Sequence, residues 1–495
     1  MSNRLQTIFL SALVLHGAVA MHVAAAAAAT TTQAAGWTHH RLATGSGALE
    51  YRATATTLPL KDDAGKTKAQ VFHVAYEKLP ASPPAQRPVT FVFNGGPGAA
   101  SVWLHLGAVG PQVIELGADG QVPPPPHRLT DNPHTWLAFT DLVFIDPVGT
   151  GFSRPAAGEK AEQFFGVQED IQWVAEFIRL YLTRAGRWAS PKFLAGESYG
   201  TTRAAGLAAH LQDRHGIAVN GLVLISSVLD FQTIRIGGGN DLPYALFLPT
   251  YTAVAAHHGK LADDLRRNLP QTLKEVERWA LEQYVPALAK GDSLEPEARR
   301  AVAGRLSRYA GMPLEWVEKA NLRIDPGAFQ NRLLEDQRRV VGRFDGRVTG
   351  FAAEPLAARA SYDPSLSRYL PVYSGTFNDY VRRQLGYESE LPYEVLSGNV
   401  HPWNFGQNGH GFLSVSDDLR LAMVKNPHLK VLFCSGIYDL ATPYLATDYT
   451  IWHLDLGREL RKNISHTYYD GGHMMYHQRQ ALQKLAEDVG ELIRR

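Results

Sequence analysis

The chain has 495 residues, 45% of them hydrophobic and 20% charged, the make-up of a globular protein with a large buried core. Its 49 Lys and Arg balance 48 Asp and Glu, so there is no basic field to hold a phosphate backbone, which argues against nucleic acid as a partner. A single cysteine, Cys434, excludes an intrachain disulfide and any zinc or iron–sulfur site built on cysteines.

Residues 1–29 read as an export signal peptide. Arg4 precedes an apolar stretch that runs from Ile8 into the alanines ending at Ala29, and Ala18-Val19-Ala20 offers a small-residue cleavage site, as does the later alanine run. An uncleaved anchor is the alternative, but His16, Gly17 and His22 interrupt the stretch and alanine is a weak membrane residue. The expected mature protein is therefore periplasmic or secreted, with no stable membrane insertion after leader cleavage.

Residues 49–58 and 69–76 are β-rich and flank the turn-forming Lys61-Asp62-Asp63-Ala64-Gly65-Lys66, which predicts an antiparallel hairpin. Apolar runs at 89–93, 142–145, 193–195, 222–225 and 431–433 have the length of buried parallel strands, and helical patterns at 167–184 and 202–214 lie between them. This alternation predicts an α/β class with a mostly parallel central sheet and chemistry at the carboxyl ends of its strands. Over 231–426 the alternation stops. Helical spacing at 272–288, 296–309, 314–320 and 329–340 suggests a largely helical inserted cap, dividing a core that spans 30–230 and 427–495.

Gly196-Glu197-Ser198-Tyr199-Gly200 follows a strand-like run and precedes a helix, the setting of a nucleophile elbow. A serine hydroxyl needs a base and an orienting acid, and in α/β hydrolases these follow as acid and then histidine. Asp439 stands just past the run 431–433, and His473 sits in the loop Asp470-Gly471-Gly472-His473. Asp448 and Asp455 are expected to solvate a helix; no HExxH pattern exists for zinc, and neither metal nor cofactor is expected. Asn94-Gly95-Gly96-Pro97-Gly98 lacks the Gly-Lys-Ser/Thr of a phosphate loop. After an early strand it fits an oxyanion loop, with the Gly96 N–H acting beside that of Tyr199.

Taken together, Asn94–Gly98, Asp146-Pro147-Val148-Gly149-Thr150-Gly151-Phe152-Ser153, Gly196–Gly200, Asp439 and Gly472-His473-Met474 resemble the serine carboxypeptidase family of α/β hydrolases, in a bacterial-type form without disulfides. The resemblance implies Ser198 as nucleophile, His473 as base, Asp439 as its acid, and Asn94 and Glu197 as binders of a substrate's C-terminal carboxylate. A carboxylic acid beside a carboxylate is favoured only while they share a proton, so the implied enzyme prefers acidic pH. Four positions depart from the family: Val92 for a Trp, Ala99 for a Cys, Ala108 for a second carboxylate-binding Glu, and Tyr476 for a Pro. The implied partner is the C-terminus of a peptide or protein. An esterase or other peptidase on the same triad remains the alternative, since Ala108 and Val92 alter the carboxylate-binding surroundings.

Overall fold

The computed structural model describes residues 36–44, 47–354, 357, 359–406 and 411–494. The leader expected over 1–29 lies outside them. Nine strands align in one sheet: β1 (Thr38–Thr44), β2 (Gly47–Lys61), β3 (Thr67–Leu79), β4 (Val89–Phe93), β5 (Asp141–Ile145), β6 (Lys192–Glu197), β7 (Gly221–Ile225), β8 (Lys430–Gly436) and β9 (Ile464–Tyr469). Their spatial order is β1-β2-β3-β5-β4-β6-β7-β8-β9, and the two-residue strand Arg154–Pro155 pairs with β3 as well. β1, β2 and β3 form an antiparallel meander that joins β5 antiparallel; from β5 onward every pairing is parallel. The expected hairpin closes through Asp62, whose Oδ1 accepts the amides of Ala64 and Lys66 at 3.1 and 2.9 Å.

The two-residue period of the strands sorts the core. Phe91, Leu194, Leu222, Leu224, Val431 and Phe433 enter one apolar cluster, with α1 (Val167–Arg184) and α2 (Tyr199–His215) packed over it. Val92, Ala195, Val223, Ile225, Leu432 and Cys434 face the other side. Both faces of the central strands are covered, so they read as continuous apolar runs, as parallel sheets require.

Segment 231–426 contributes α3 (Leu242–His257), α4 (Leu269–Trp279), α5 (Pro296–Ala310) and α6 (Pro364–Arg383), with a small hairpin of Arg339–Val341 and Thr349–Phe351. Its apolar residues do not form one body. Those of α3, α4 and α5 build a separate cluster that takes in Leu440, whereas Tyr369, Tyr373 and Phe377 of α6 join the cluster beneath the sheet. The helix expected over 272–288 ends at Trp279 and resumes at Val285 after a wider turn, because Pro286 has no N–H to continue the ladder. The helix expected over 329–340 stops at Arg332; Arg338 adopts a left-handed φ of 52° and the β-branched Val340-Val341 pair as a strand. Among the described residues no helix is long and apolar enough to cross a membrane.

Candidate active site

Strand β6 runs through Glu197 and α2 starts at Tyr199, leaving Ser198 alone to make the turn. It does so at φ 60° and ψ −130°, a strained conformation for a side chain other than glycine. The flanking glycines are required by space. A Cβ on Gly196 would lie 2.2 Å from the Gly200 carbonyl oxygen, and one on Gly200 would lie 2.9 Å from that of Phe93. Ser198 is half-buried, in contrast to the buried residues on either side.

Asp439 and His473 meet as the motif order predicts. Asp439 Oδ2 lies 2.7 Å from His473 Nδ1, and both side chains are almost wholly buried. The Ala441 and Thr442 amides donate to Asp439 Oδ1 at 2.7 and 3.0 Å, and the Thr442 hydroxyl donates to Oδ2 at 2.7 Å. Every lone pair of the acid is thus directed, which fixes the ring facing it. Burial disfavours the imidazolium, but the Asp439 charge and hydrogen bond, with the Glu197 charge, outweigh it and raise the His473 pKa. The ring packs on Phe344 at 4.9 Å, and the His473 amide donates to the Phe344 carbonyl.

Ser198 and His473 are joined through β7. The Ser198 amide donates to the Ile225 carbonyl at 3.0 Å, and the next residue, Ser226, donates its hydroxyl to the His473 carbonyl at 2.6 Å. Among the described residues the Ser198 hydroxyl itself makes no hydrogen bond. With Nδ1 engaged by Asp439, Nε2 is the nitrogen left to accept a proton.

The glycine loop after β4 lies against the start of α2. A Cβ on Gly95 would stand 2.4 Å from the Tyr199 amide nitrogen, so the loop backbone touches the helix N-terminus. Tyr199 is the first helical residue and its N–H has no acceptor within the helix. The Gly96 N–H donates to no acceptor among the described residues. A buried pair pins this corner: Arg203 Nε meets Asp170 Oδ2 at 2.8 Å, Arg203 Nη1 donates to the Asn94 carbonyl at 2.6 Å, and the Tyr199 hydroxyl donates to Asp170 at 3.3 Å.

Asn94 and Glu197, predicted from distant motifs, are also brought together. The Leu104 amide donates to Asn94 Oδ1 at 3.0 Å, which turns the Asn94 Nδ2 toward Glu197 Oε1 at 3.1 Å. Burial pushes the Glu197 carboxyl up to about 7, against the His473 charge and the hydrogen bonds of Tyr476 and Asn94. Val92 is buried within β4, and Ala108 is buried in the helical turn His105–Val109.

A second Ser–His–Asp set occurs beside the sheet. Ser435 Oγ lies 2.9 Å from His466 Nε2, and His466 Nδ1 lies 2.9 Å from Asp448 Oδ1. Ser435 is inside strand β8 and 1% exposed, so no substrate carbonyl reaches it. Asp448, expected to solvate a helix, is instead bound by His466 and the Tyr468 hydroxyl, because the helix Tyr444–Trp452 turns it toward β9. Asp455 stands beyond that helix at φ 49°. Sequence reasoning missed Ser226, Thr442, Arg203 and Phe344. Arg203 had a usable signal, a lone charge in the Ala- and Gly-rich run of α2; Ser226 and Phe344 had none.

The family model for serine carboxypeptidases matches residues 62–486. A carboxypeptidase Y homolog of Arthroderma benhamiae is 33% identical over 119 residues, covering 24% of this chain and 21% of that protein. The pheromone-processing carboxypeptidase KEX1 of Yarrowia lipolytica is 30% identical over 148 residues, 29% of this chain and 22% of that one. These matched stretches thus span only about a fifth of each relative. The crystal structure of the prohormone-processing carboxypeptidase Kex1(delta)p from Saccharomyces cerevisiae superposes with a TM-score of 0.51 at 16% identity, covering 89% of this chain and 90% of that one, a likeness of fold. With the match running through the glycine loop, the elbow, Asp439 and His473, the chain belongs to the serine carboxypeptidase family.

Proposed function

We propose that this protein is a serine carboxypeptidase that releases C-terminal residues from peptides through an acyl-enzyme on Ser198. The observation that carries the reading is the Asn94–Glu197 pair, a carboxamide and a buried carboxyl placed next to the nucleophile. Its Glu197 holds its proton up to about pH 7, so it can share that proton with a substrate's terminal carboxylate.

Ser198 Oγ attacks the last peptide carbonyl as His473 Nε2 takes its proton. The oxyanion rests on the Gly96 and Tyr199 amides, and the imidazolium returns the proton to the leaving amine. Water, deprotonated by His473, then releases the acyl group. Residues 231–426 would cap the catalytic core, and the leader over 1–29 would send the enzyme to the periplasm or the medium.

Matched peptides with free and amidated C-termini, compared at pH 5 and pH 8, test this. Preference for the free C-terminus, strongest at pH 5, is expected; equal turnover of both would leave an esterase or another peptidase on the same triad. Ser198→Ala should lower turnover by orders of magnitude, leaving what binding and the oxyanion amides supply.

A further inference from the structure

The Tyr476 hydroxyl and Glu197 Oε2 are both buried, and neither has a well-formed hydrogen bond to any other protein group. Each acts on the other's ionisation through charge and hydrogen bonding. Buried polar atoms without partners are costly, so two of them together at this corner point to use.

The phenol ring is held firmly. A Cβ on Gly107 would lie 2.4 Å from Tyr476 Cε2 and 2.5 Å from the Tyr373 hydroxyl, so the ring runs directly against this backbone. The Tyr373 hydroxyl is itself fixed by His477 Nε2 at 2.8 Å. The neighbour of Gly107 is Ala108, whose methyl packs in the same apolar cluster as Tyr476 and cannot reach Glu197 with a polar group. A second acid expected at 108 is absent, and a phenol arrives from the histidine loop.

We propose that Tyr476 is a positioning residue whose hydroxyl donates to Glu197 Oε2 and aims that carboxyl, with Asn94, at the substrate's terminal carboxylate, in place of a second acid. This rests on the reading of Glu197 as a carboxylate binder. The substitution changes the chemistry. Two acids would repel once ionised and hold each other protonated, whereas a phenol, its own pKa raised well above the usual by burial, stays a neutral donor at every working pH. Its hydrogen bond favours the ionised Glu197, so removing it should extend carboxylate binding to higher pH while loosening the geometry. The groups whose charge or hydrogen bonding acts with Glu197 are Asn94, His473, Asp439, Tyr373 and Tyr476.

The test is Tyr476→Phe, Glu197→Gln and the double variant, assayed between pH 5 and 8 on peptides with free and amidated C-termini. Covalent labelling of Ser198 by a fluorophosphonate and a thermal melt verify folding. At pH 5, Y476F should raise KM for the free peptide about fivefold to tenfold, the size of one lost hydrogen bond, with a smaller change in kcat. The pH at which KM begins to climb should move upward, and in the E197Q background the Tyr476 substitution should add nothing. An unchanged KM–pH profile in Y476F, or equal effects of Y476F with and without Glu197, would overturn the assignment. If wild-type enzyme itself ignores the free C-terminus, the carboxypeptidase reading fails, which is a separate result.

Discussion

The Ser226 hydroxyl donates to the His473 carbonyl at 2.6 Å, one residue after Ile225 takes the amide of Ser198. A single stretch of β7 backbone therefore sets the height of Ser198 and the position of His473. Ser226 adopts a left-handed φ of 49° to do so, and its own amide is held by the Cys434 carbonyl at 2.8 Å. Strain at a non-glycine residue is kept only where its surroundings enforce it.

Ser226→Ala should accordingly slow the acylation step. Losing one buried hydrogen bond worth about 1–2 kcal/mol to the geometry of His473 corresponds to a fall in kcat of roughly fivefold to thirtyfold. KM should move less, because the Ser226 hydroxyl bonds to the His473 carbonyl and to neither Asn94 nor Glu197. Steady-state kinetics on a peptide substrate check this; a variant with lowered stability but unaltered kcat would show that the bond serves folding alone.

At the other end of the ring, Asp439→Asn keeps the shape and reverses one polarity. An amide N–H facing His473 Nδ1 selects the tautomer that carries its proton on Nε2, the atom proposed to accept the serine proton. Loss of about 10⁴-fold in kcat is expected, as in serine triads generally. Thr442→Val removes the hydroxyl that donates to Asp439 Oδ2 at 2.7 Å and lies 3.3 Å from His473 Nδ1, but leaves the Ala441 and Thr442 amides on Asp439, so its cost should be nearer tenfold. Rank order reversed between the two variants would mean that Asp439 is held mainly by Thr442.

The parts of this site legible in the sequence are those carried by contiguous motifs. Gly196–Gly200 fixes its own geometry, because a turn with no spare residue between β6 and α2 admits only glycine at its flanks. Asp439 and His473 were legible because parallel strands end at one edge and the chain order of the acid and base follows. Residues that act across the sheet leave no local mark. Ser226 is one of two serines after a strand, and Phe344 comes from a hairpin region whose approach to His473 depends on how α3 to α6 pack. The expected helix over 329–340 failed for the same reason, since apolar spacing over a short run does not separate a helix from a turn followed by a strand.

Arg203 and Asp170 form a pair buried to within a few per cent of full exclusion, and removing one partner strands the other charge. Arg203→Met alone should destabilise the fold by roughly 3–5 kcal/mol. Arg203→Met combined with Asp170→Leu should recover much of that stability, since two apolar side chains leave no orphaned charge. Activity should stay low in the double variant, because the Asn94 carbonyl and Tyr199 hydroxyl lose the groups that anchor the glycine loop. Thermal melts paired with turnover separate the two effects; full recovery of both would mean that the pair only holds the core.

Stability should also depend on pH through Asp146. Burial pushes its carboxyl up to about 7, against the Ser101 amide, the Tyr393 hydroxyl and the charge of Arg154. In the unfolded chain the same group titrates near 4. Below about pH 4 it is protonated in both states and its contribution is fully present; from there to about pH 7 the unfolded chain releases the proton while the folded one keeps it, and stability falls. The shift corresponds to a loss on the order of 4 kcal/mol across that window. Glu197, also raised to about 7, acts with the same sign. Asp146→Asn retains an acceptor for the Ser101 amide at 2.8 Å but cannot ionise. The fall in melting temperature from pH 4 to pH 8 should therefore be smaller in Asp146→Asn than in the parent, with Glu197 supplying what slope remains. Identical slopes in the two proteins would mean that Asp146 stays charged when buried, held by Arg154 more strongly than its burial opposes it.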